Sequence, residues 1–252
     1  MATPWLAQVQ PFALTNPSQF RVGPPPSLNS ELYARDYNQV KDLGSLTSSK
    51  RTPEQPDLAY FWSGNYLVVW NGVLRSIAGA QKLTIGRSAR LFALANMAMA
   101  DAAITAWDTK LYYVFWRPKT AIQNGDNDGN SKTDGDLAWQ PLIANPPYPE
   151  YTSGANNVTG AITRILRSFF GTNEMTFPVT TTALQAIQQT RIDGHFTDAA
   201  DDVVIARIYE GIHFSFSDSL ARKQGEAVAR WVFKRFLRPV HDNGKDEIDN
   251  DR

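Results

Sequence analysis

The stretch from about Arg87 to Tyr113 constrains this chain more than any other. Eight alanines fall between Ala89 and Ala106. Alanine combines the highest helix propensity with a very small side chain, so the stretch reads as a long helix of small cross-section that neighbouring helices approach closely. Trp116-Arg117-Pro118 should end it, because proline disfavours helical geometry in the residue before it.

Similar signals recur along the chain. Asn29 and Ser30 precede a helix over Glu31–Leu43 that Gly44 stops. Thr52-Pro53-Glu54-Gln55 reads as a capping-box start with Pro at the first helical position. The apolar run from about Leu67 to Ala78 fits a helix or a strand, since its Val-Val-Trp core carries no decisive period. A helix from near Ser153 places Val158, Ile162, Ile165, Leu166 and Phe169 on one face and stops at Gly171. Two more follow, over about Asp198–Glu210 and Ser219–Leu237, the last with Glu226 and Arg230 as an i,i+4 pair. No convincing strand pair is visible, so the expected class is all-α. Between Ala121 and Tyr151 the Asn-Gly, Asp-Gly and Pro-Pro signals predict a long irregular connection, the kind of segment that is often functional.

Six of the fifteen prolines lie within the first 26 residues, which favours an extended arm over residues 1–27. The helical domain is expected over 28–240 and a polar tail over 241–252. Of the 252 residues, 42% are hydrophobic and 12% aromatic, enough for a sizeable core. Twenty-five basic and twenty-five acidic residues cancel, leaving no long-range field to recruit nucleic acid or an anionic membrane. Cysteine is absent, which excludes disulfides, thiolate metal sites and a Cys nucleophile. The N-terminus lacks a basic start followed by an apolar run, so no signal peptide is read. The longest membrane-like stretch, Leu91–Ala100, is far short of the ~20 residues a span needs, and the chain reads as soluble.

Three groups of residues carry chemistry. Lys110 and Arg117 are two helical turns apart and share a face if the helix persists. Cations at that spacing are commonly solvated, but these two are embedded in Trp107, Tyr112, Tyr113, Phe115 and Trp116. Ser153-Gly154 opens a helix after the stiff Pro146-Pro147-Tyr148-Pro149 run. Free N–H groups at a helix start attract anions and Gly admits them closely, although Ser is also an ordinary N-cap. Arg207 and His213 are six residues apart and would not share a face on one continuous helix. Gly211 offers a break that could turn both inward; otherwise His213 is a hydrogen-bonded core histidine.

The order Lys-x6-Arg-Pro (Lys110 to Pro118), Pro-x-x-x-Ser-Gly (Pro149 to Gly154) and Arg-x5-His (Arg207 to His213) resembles the three-part signature of the vanadium-dependent haloperoxidase and phosphatidic-acid-phosphatase superfamily. The resemblance extends to Thr3-Pro4-Trp5, Gln19-Phe20-Arg21, Arg90-Leu91-Phe92-Ala93, Pro147-Tyr148-Pro149-Glu150-Tyr151 and Arg207 through Phe214, and is nearest to the soluble bacterial chloroperoxidase-like branch. It implies a helical bundle of the chloroperoxidase and acid phosphatase type. In it Lys110, Arg117, Ser153, Gly154 and Arg207 hold the oxygens of vanadate, or of phosphate in its place. His213 would be the apical partner, bonded to vanadium in a peroxidase or acting as nucleophile on phosphorus in a phosphatase. Vanadate anchored this way takes up hydrogen peroxide and oxidises a halide or a small organic substrate.

Four positions depart from that pattern. Ala155 stands where the family places its general acid/base histidine, so turnover is expected to be reduced or altered; Ala exchanges no proton and Asn156 none near neutral pH. The acid that orients the apical histidine is expected four residues after it, where this chain has Ser217, with Asp218 one residue late; His213 should then be less firmly oriented. Ala206 replaces a Ser and Thr152 a Pro. The readings that follow are a haloperoxidase of reduced competence, a phosphatase or phosphotransferase using His213, or a non-catalytic oxyanion-binding or structural relative. Asn124 to Gly129 resembles half a calcium loop, but Gly135 stands at the twelfth position, so a plain turn is favoured. His195 reads as a loop residue, and three histidines without ligand spacing argue against zinc. Members of this branch carry a further helical region ahead of the part seen here, so open apolar helix faces are expected. A homodimer with the N-terminal arm lying across the partner is the expected cover.

Overall fold

The computed structural model describes residues 3–238; the polar tail read over 241–252 lies outside the described residues. The first of its eight α-helices, α1 (Glu31–Leu43), is capped by the Ser30 hydroxyl, which accepts from the Tyr33 amide. Then come α2 (Gln55–Phe61), α3 (Tyr66–Ala80), α4 (Ile85–Tyr113) and the short α5 (Pro118–Gln123). The chain continues irregularly into α6 (Gly154–Phe170), a hairpin of β1 (Glu174–Thr180) and β2 (Thr190–His195), α7 (Phe196–Tyr209) and α8 (Ser215–Arg235).

The alanine-rich α4 is the axis. Thr84 caps it, and Leu91, Leu94, Ala95, Ala98, Met99 and Ala102 are fully buried along it, packed with α6 and α8 into one hydrophobic core. Small residues set how closely these helices meet. A Cβ on Gly160 of α6 would lie 2.2 Å from the Arg222 carbonyl oxygen, and one on Gly225 of α8 would lie 2.0 Å from that of Asn157. The two helices therefore touch backbone to backbone, which only glycine permits. A smaller cluster of Tyr33, Tyr37, Val40, Ala121, Ile122, Trp139, Ile208 and Phe214 seats α1 against α5 and the end of α7.

One open reading is resolved and several expectations are corrected. The Leu67–Ala78 run is helical, fixed by Asn65, whose side chain accepts from the Leu67 and Val68 amides. The Thr52 capping box is only half formed: Gln55 accepts from the Thr52 amide, but α2 begins at Gln55. A strand pair exists after all. β1 and β2 run antiparallel, with Phe177 opposite Asp193 and Val179 opposite Arg191. Helix α4 stops at Tyr113 because Val114 turns into the left-handed region at φ 48°, so Lys110 and Arg117 do not share one helix. The arm is neither fully extended nor directed away from its own chain. It forms 3-10 turns at Pro4–Gln8 and Pro17–Phe20 and lies on its own α4 and α8. The buried Asp101 carboxylate accepts from the amides of Phe12, Ala13 and Leu14 at 2.7, 2.8 and 3.1 Å, and the Trp231 indole donates to the Ala13 carbonyl. In the single chain the arm is thus seated on its own helices. Among the described residues no helix is long and apolar enough to cross a membrane.

Candidate functional site

Lys110, in the last turn of α4, is fully buried and donates to the carbonyls of Pro149 and Glu150 at 2.9 and 2.8 Å. Arg117, just before α5, donates through Nε to the Tyr148 carbonyl at 2.9 Å and through Nη1 to that of Ile212 at 2.7 Å. Both cations converge because both grip the segment 148–150 that feeds α6. Their neighbours include aromatic faces: the Lys110 ammonium lies 5.3 Å from the Tyr148 ring centroid and the Arg117 guanidinium 4.8 Å from it. Gly154 opens α6, and Ser153 caps it by accepting from the Asn156 amide. A Cβ on Gly154 would meet the Trp107 ring at 2.9 Å, so the indole lies directly over the helix start. Arg207 reaches the same place from the last turn of α7.

Gly211, at φ 78°, supplies the break between α7 and α8 and turns His213 inward. His213 is buried, with Nδ1 2.6 Å from Glu150 Oε1 and Nε2 3.1 Å from Arg117 Nη1. Arginine offers donors only, so Nε2 accepts and the imidazole proton sits on Nδ1, donated to Glu150. The same Oε1 accepts from the Phe214 amide. The expectation that His213 is loosely oriented is therefore overturned: a carboxylate from the loop ahead of α6 holds it. Asp218, which the sequence placed one residue late for this task, instead accepts from Asn156 Nδ2 at 2.7 Å and braces the start of α6.

The electrostatics balance three buried cations against three buried carboxyls. Burial, and then Arg117, push the Lys110 ammonium well below its ordinary value, and burial brings Arg117 down to about 10. Burial is the largest single influence and would lower Arg207, but Glu210, 2.6 Å away, together with Tyr66, Tyr148 and Asp218 outweighs it and holds the guanidinium above its usual range. Burial raises Glu150 to about 7 and Glu210 to about 8 against the pull of the cations, and burial and Glu150 raise Asp218. Burial, Arg117 and Lys110 lower His213 well below its usual value, so it is neutral. Two guanidinium nitrogens, Arg117 Nη2 and Arg207 Nε, are buried without a hydrogen-bond partner. A cavity of about 270 Å³ opens at Arg207, lined also by Ser63, Gly64, Tyr66, Trp107, Tyr148, Gly154, Ala155 and Val158.

The structure thus brings Lys110, Arg117, Ser153, Gly154, Arg207 and His213 to one place. Sequence reasoning gave Glu150 no role, and passed over Glu210. Glu150 left a signal, being the only charged residue between Asp136 and Arg164, in a loop otherwise apolar or uncharged. His195 ends β2 and pairs with Asp198 at 2.9 Å, away from this cluster. In the calcium-like loop, Asp128 accepts from the Asn130 amide and the Thr133 hydroxyl, the bonding of a turn.

Fold and site together define an α-helical protein with a cationic, histidine-bearing cradle at a helix start. The family described as VCPO second helical-bundle domain matches residues 90–242, and the chain belongs to that family. It is 27% identical over 238 aligned residues to the vanadium chloroperoxidase of Curvularia inaequalis, covering 71% of this chain and 38% of that protein. Among solved structures, the first bacterial vanadium-dependent iodoperoxidase superposes with a TM-score of 0.79 at 29% identity, over 92% of this chain and 57% of that one. The apo-type bacterial vanadium-dependent chloroperoxidase superposes at 0.75 and 19% identity, over 92% and 55%, and shares the fold. The chain therefore spans little more than half of these structures, and less of the Curvularia relative.

Proposed function

We propose that the chain is a haloperoxidase-like protein that binds vanadate, or phosphate in its place, between Lys110, Arg117, Arg207, the Ser153–Gly154 helix start and His213. One observation carries this reading. Arg117 Nη2 and Arg207 Nε are buried, charge-bearing donors without partners, and leaving such groups unpaired costs about 1–3 kcal/mol or more each. A multiply charged oxyanion satisfies both, and the amides at the start of α6 add further donors. The residues present therefore fit the group.

When bound, vanadate would supply the chemistry that takes up hydrogen peroxide and oxidises a halide. The chain's own part is positional. Lys110, Arg117 and Arg207 would neutralise charge and Glu150 keeps the His213 proton on Nδ1, while Nε2, which accepts from Arg117 Nη1 here, would give up that contact to face the bound group. No residue at position 155 moves a proton, so turnover is low. A phosphohistidine route needs an acid for its leaving group, which Ala155 cannot provide, so the phosphatase reading is weaker.

Metal analysis after equilibration with vanadate, beside a phosphate-treated control, tests the proposal. About one vanadium per chain is expected, displaced by phosphate and abolished in Arg207→Ala. No vanadium retained by the folded protein overturns it.

For assembly, we propose that a second copy covers the apolar groove between the arm and the outer face of α4. The exposed Trp5 and Phe12 protrude there beside the small Ala93, Ala100 and Ala103, so the face offers both knob and hollow to a two-fold mate. Light scattering at micromolar concentration should give twice the monomer mass. Monomer alone, without aggregation, overturns it.

A further inference from the structure

The cavity at the start of α6 is larger than an oxyanion needs. At ~30 Å³ per water-sized group, the four oxygens of a tetrahedral anion occupy roughly 120 Å³. About 270 Å³ is present, so on the order of 150 Å³ is left beside it. An apolar cavity of about 150 Å³ is enough to take up benzene in another protein, so the surplus corresponds to one aromatic ring.

Its walls have matching chemistry. Trp107 and Tyr148 meet with ring centroids 5.0 Å apart and planes inclined by 44°, forming an angled notch, with Tyr66 also lining the cavity. Aromatic rings favour such tilted and edge-on neighbours. The methyl of Ala155 and the side chain of Val158 add apolar wall. A histidine at position 155 would extend into this space; alanine leaves it open. Arg207 is the one charged residue lining the cavity, and it is already assigned to the oxyanion, so the remainder has no charge of its own to offer.

We propose that this space binds a single aromatic ring immediately beside the oxyanion, making aromatic organic compounds the ligand class of the site. The inference rests on the oxyanion reading above. Tyr66, Trp107 and Tyr148 form the ring's walls, and Ala155 sets the depth available to it.

Methylphosphonate and phenylphosphonate carry the same anionic head and differ by the ring, so calorimetric titration with both separates the two ideas. Phenylphosphonate is expected to bind at least tenfold more tightly. Ala155→Leu, which fills the surplus volume, should remove that preference while methylphosphonate binds as before. Equal affinities in the unaltered protein, or a preference that survives Ala155→Leu, overturn the ring site and leave the oxyanion site standing. If neither phosphonate binds, the oxyanion reading fails and this inference falls with it.

Discussion

Glu150→Gln isolates the orientation of His213 from the charge of the site. The glutamine amide is nearly isosteric and its oxygen can still accept from Nδ1, but the charge assistance of the 2.6 Å contact is gone. Hydrogen bonds to a charged group contribute about 1.5–3 kcal/mol and neutral ones about 0.5–1.5, so the loss is about 1–1.5 kcal/mol. That corresponds to roughly 5- to 10-fold, and partners of metal-binding histidines commonly reach 10- to 100-fold. A second effect opposes it. Removing a buried carboxylate makes the cradle more positive, which strengthens the binding of any anion.

The two effects separate when vanadate is compared with phosphate. Both gain from the added positive charge, but only vanadate is expected to depend on the Nε2 lone pair. The ratio of vanadate to phosphate affinity should therefore fall by about tenfold in Glu150→Gln, whatever happens to each value alone. Nitrogen NMR of the vanadate-free protein gives an independent reading, since the chain has three histidines: Arg117 still donates to Nε2, so His213 should keep its Nδ1–H tautomer while its Nδ1 shift moves toward that of a neutral hydrogen bond. An unchanged affinity ratio together with an unchanged Nδ1 shift would refute the positioning role.

On the proposed function, Ala155→His should raise peroxide-dependent halide oxidation by roughly 10²–10⁴-fold, the usual contribution of a general acid–base group; no gain in a folded, vanadate-loaded variant removes the missing acid as the reason for the reduced turnover proposed above. Sulfate keeps a fixed charge, so its affinity reads the site alone. Burial raises Glu150 to about 7 and Glu210 to about 8; both are neutral below these values and ionised above them, so sulfate should bind more than tenfold tighter at pH 6 than at pH 9, and a flat profile would contradict this. Gly225→Ala places a methyl 2.0 Å from the Asn157 carbonyl oxygen and should cost about 3 kcal/mol or more in urea denaturation, since overpacking a rigid seam usually costs ~1–3 kcal/mol and sometimes more. A loss under 1 kcal/mol would mean that α6 and α8 can part without penalty.

What the sequence made legible was local. Alanine density, the Ser30 and Ser153 caps and the stops at Gly44 and Gly171 act within a few residues, and α1, α4 and α6 appear where they predict. The hairpin was hidden because its order comes from elsewhere. Met175, Phe177 and Val179 alternate with non-apolar positions along β1, but Pro178 inside the run argues against a strand, and β2 (Thr190–His195) has little apolar pattern of its own. The cradle was legible through its cations, yet the spacing argument for Lys110 and Arg117 rested on a helix that ends at Tyr113. They meet because each needs backbone acceptors for a buried charge, and the segment Tyr148–Glu150 supplies them to both. Glu150 illustrates the converse. Nothing within ten residues of it is charged, and its partner His213 lies 63 residues away. A carboxylate placed alone among apolar and aromatic residues must be paired by something distant, or lose its charge. In this chain the distant partner is the histidine on which the proposed chemistry turns.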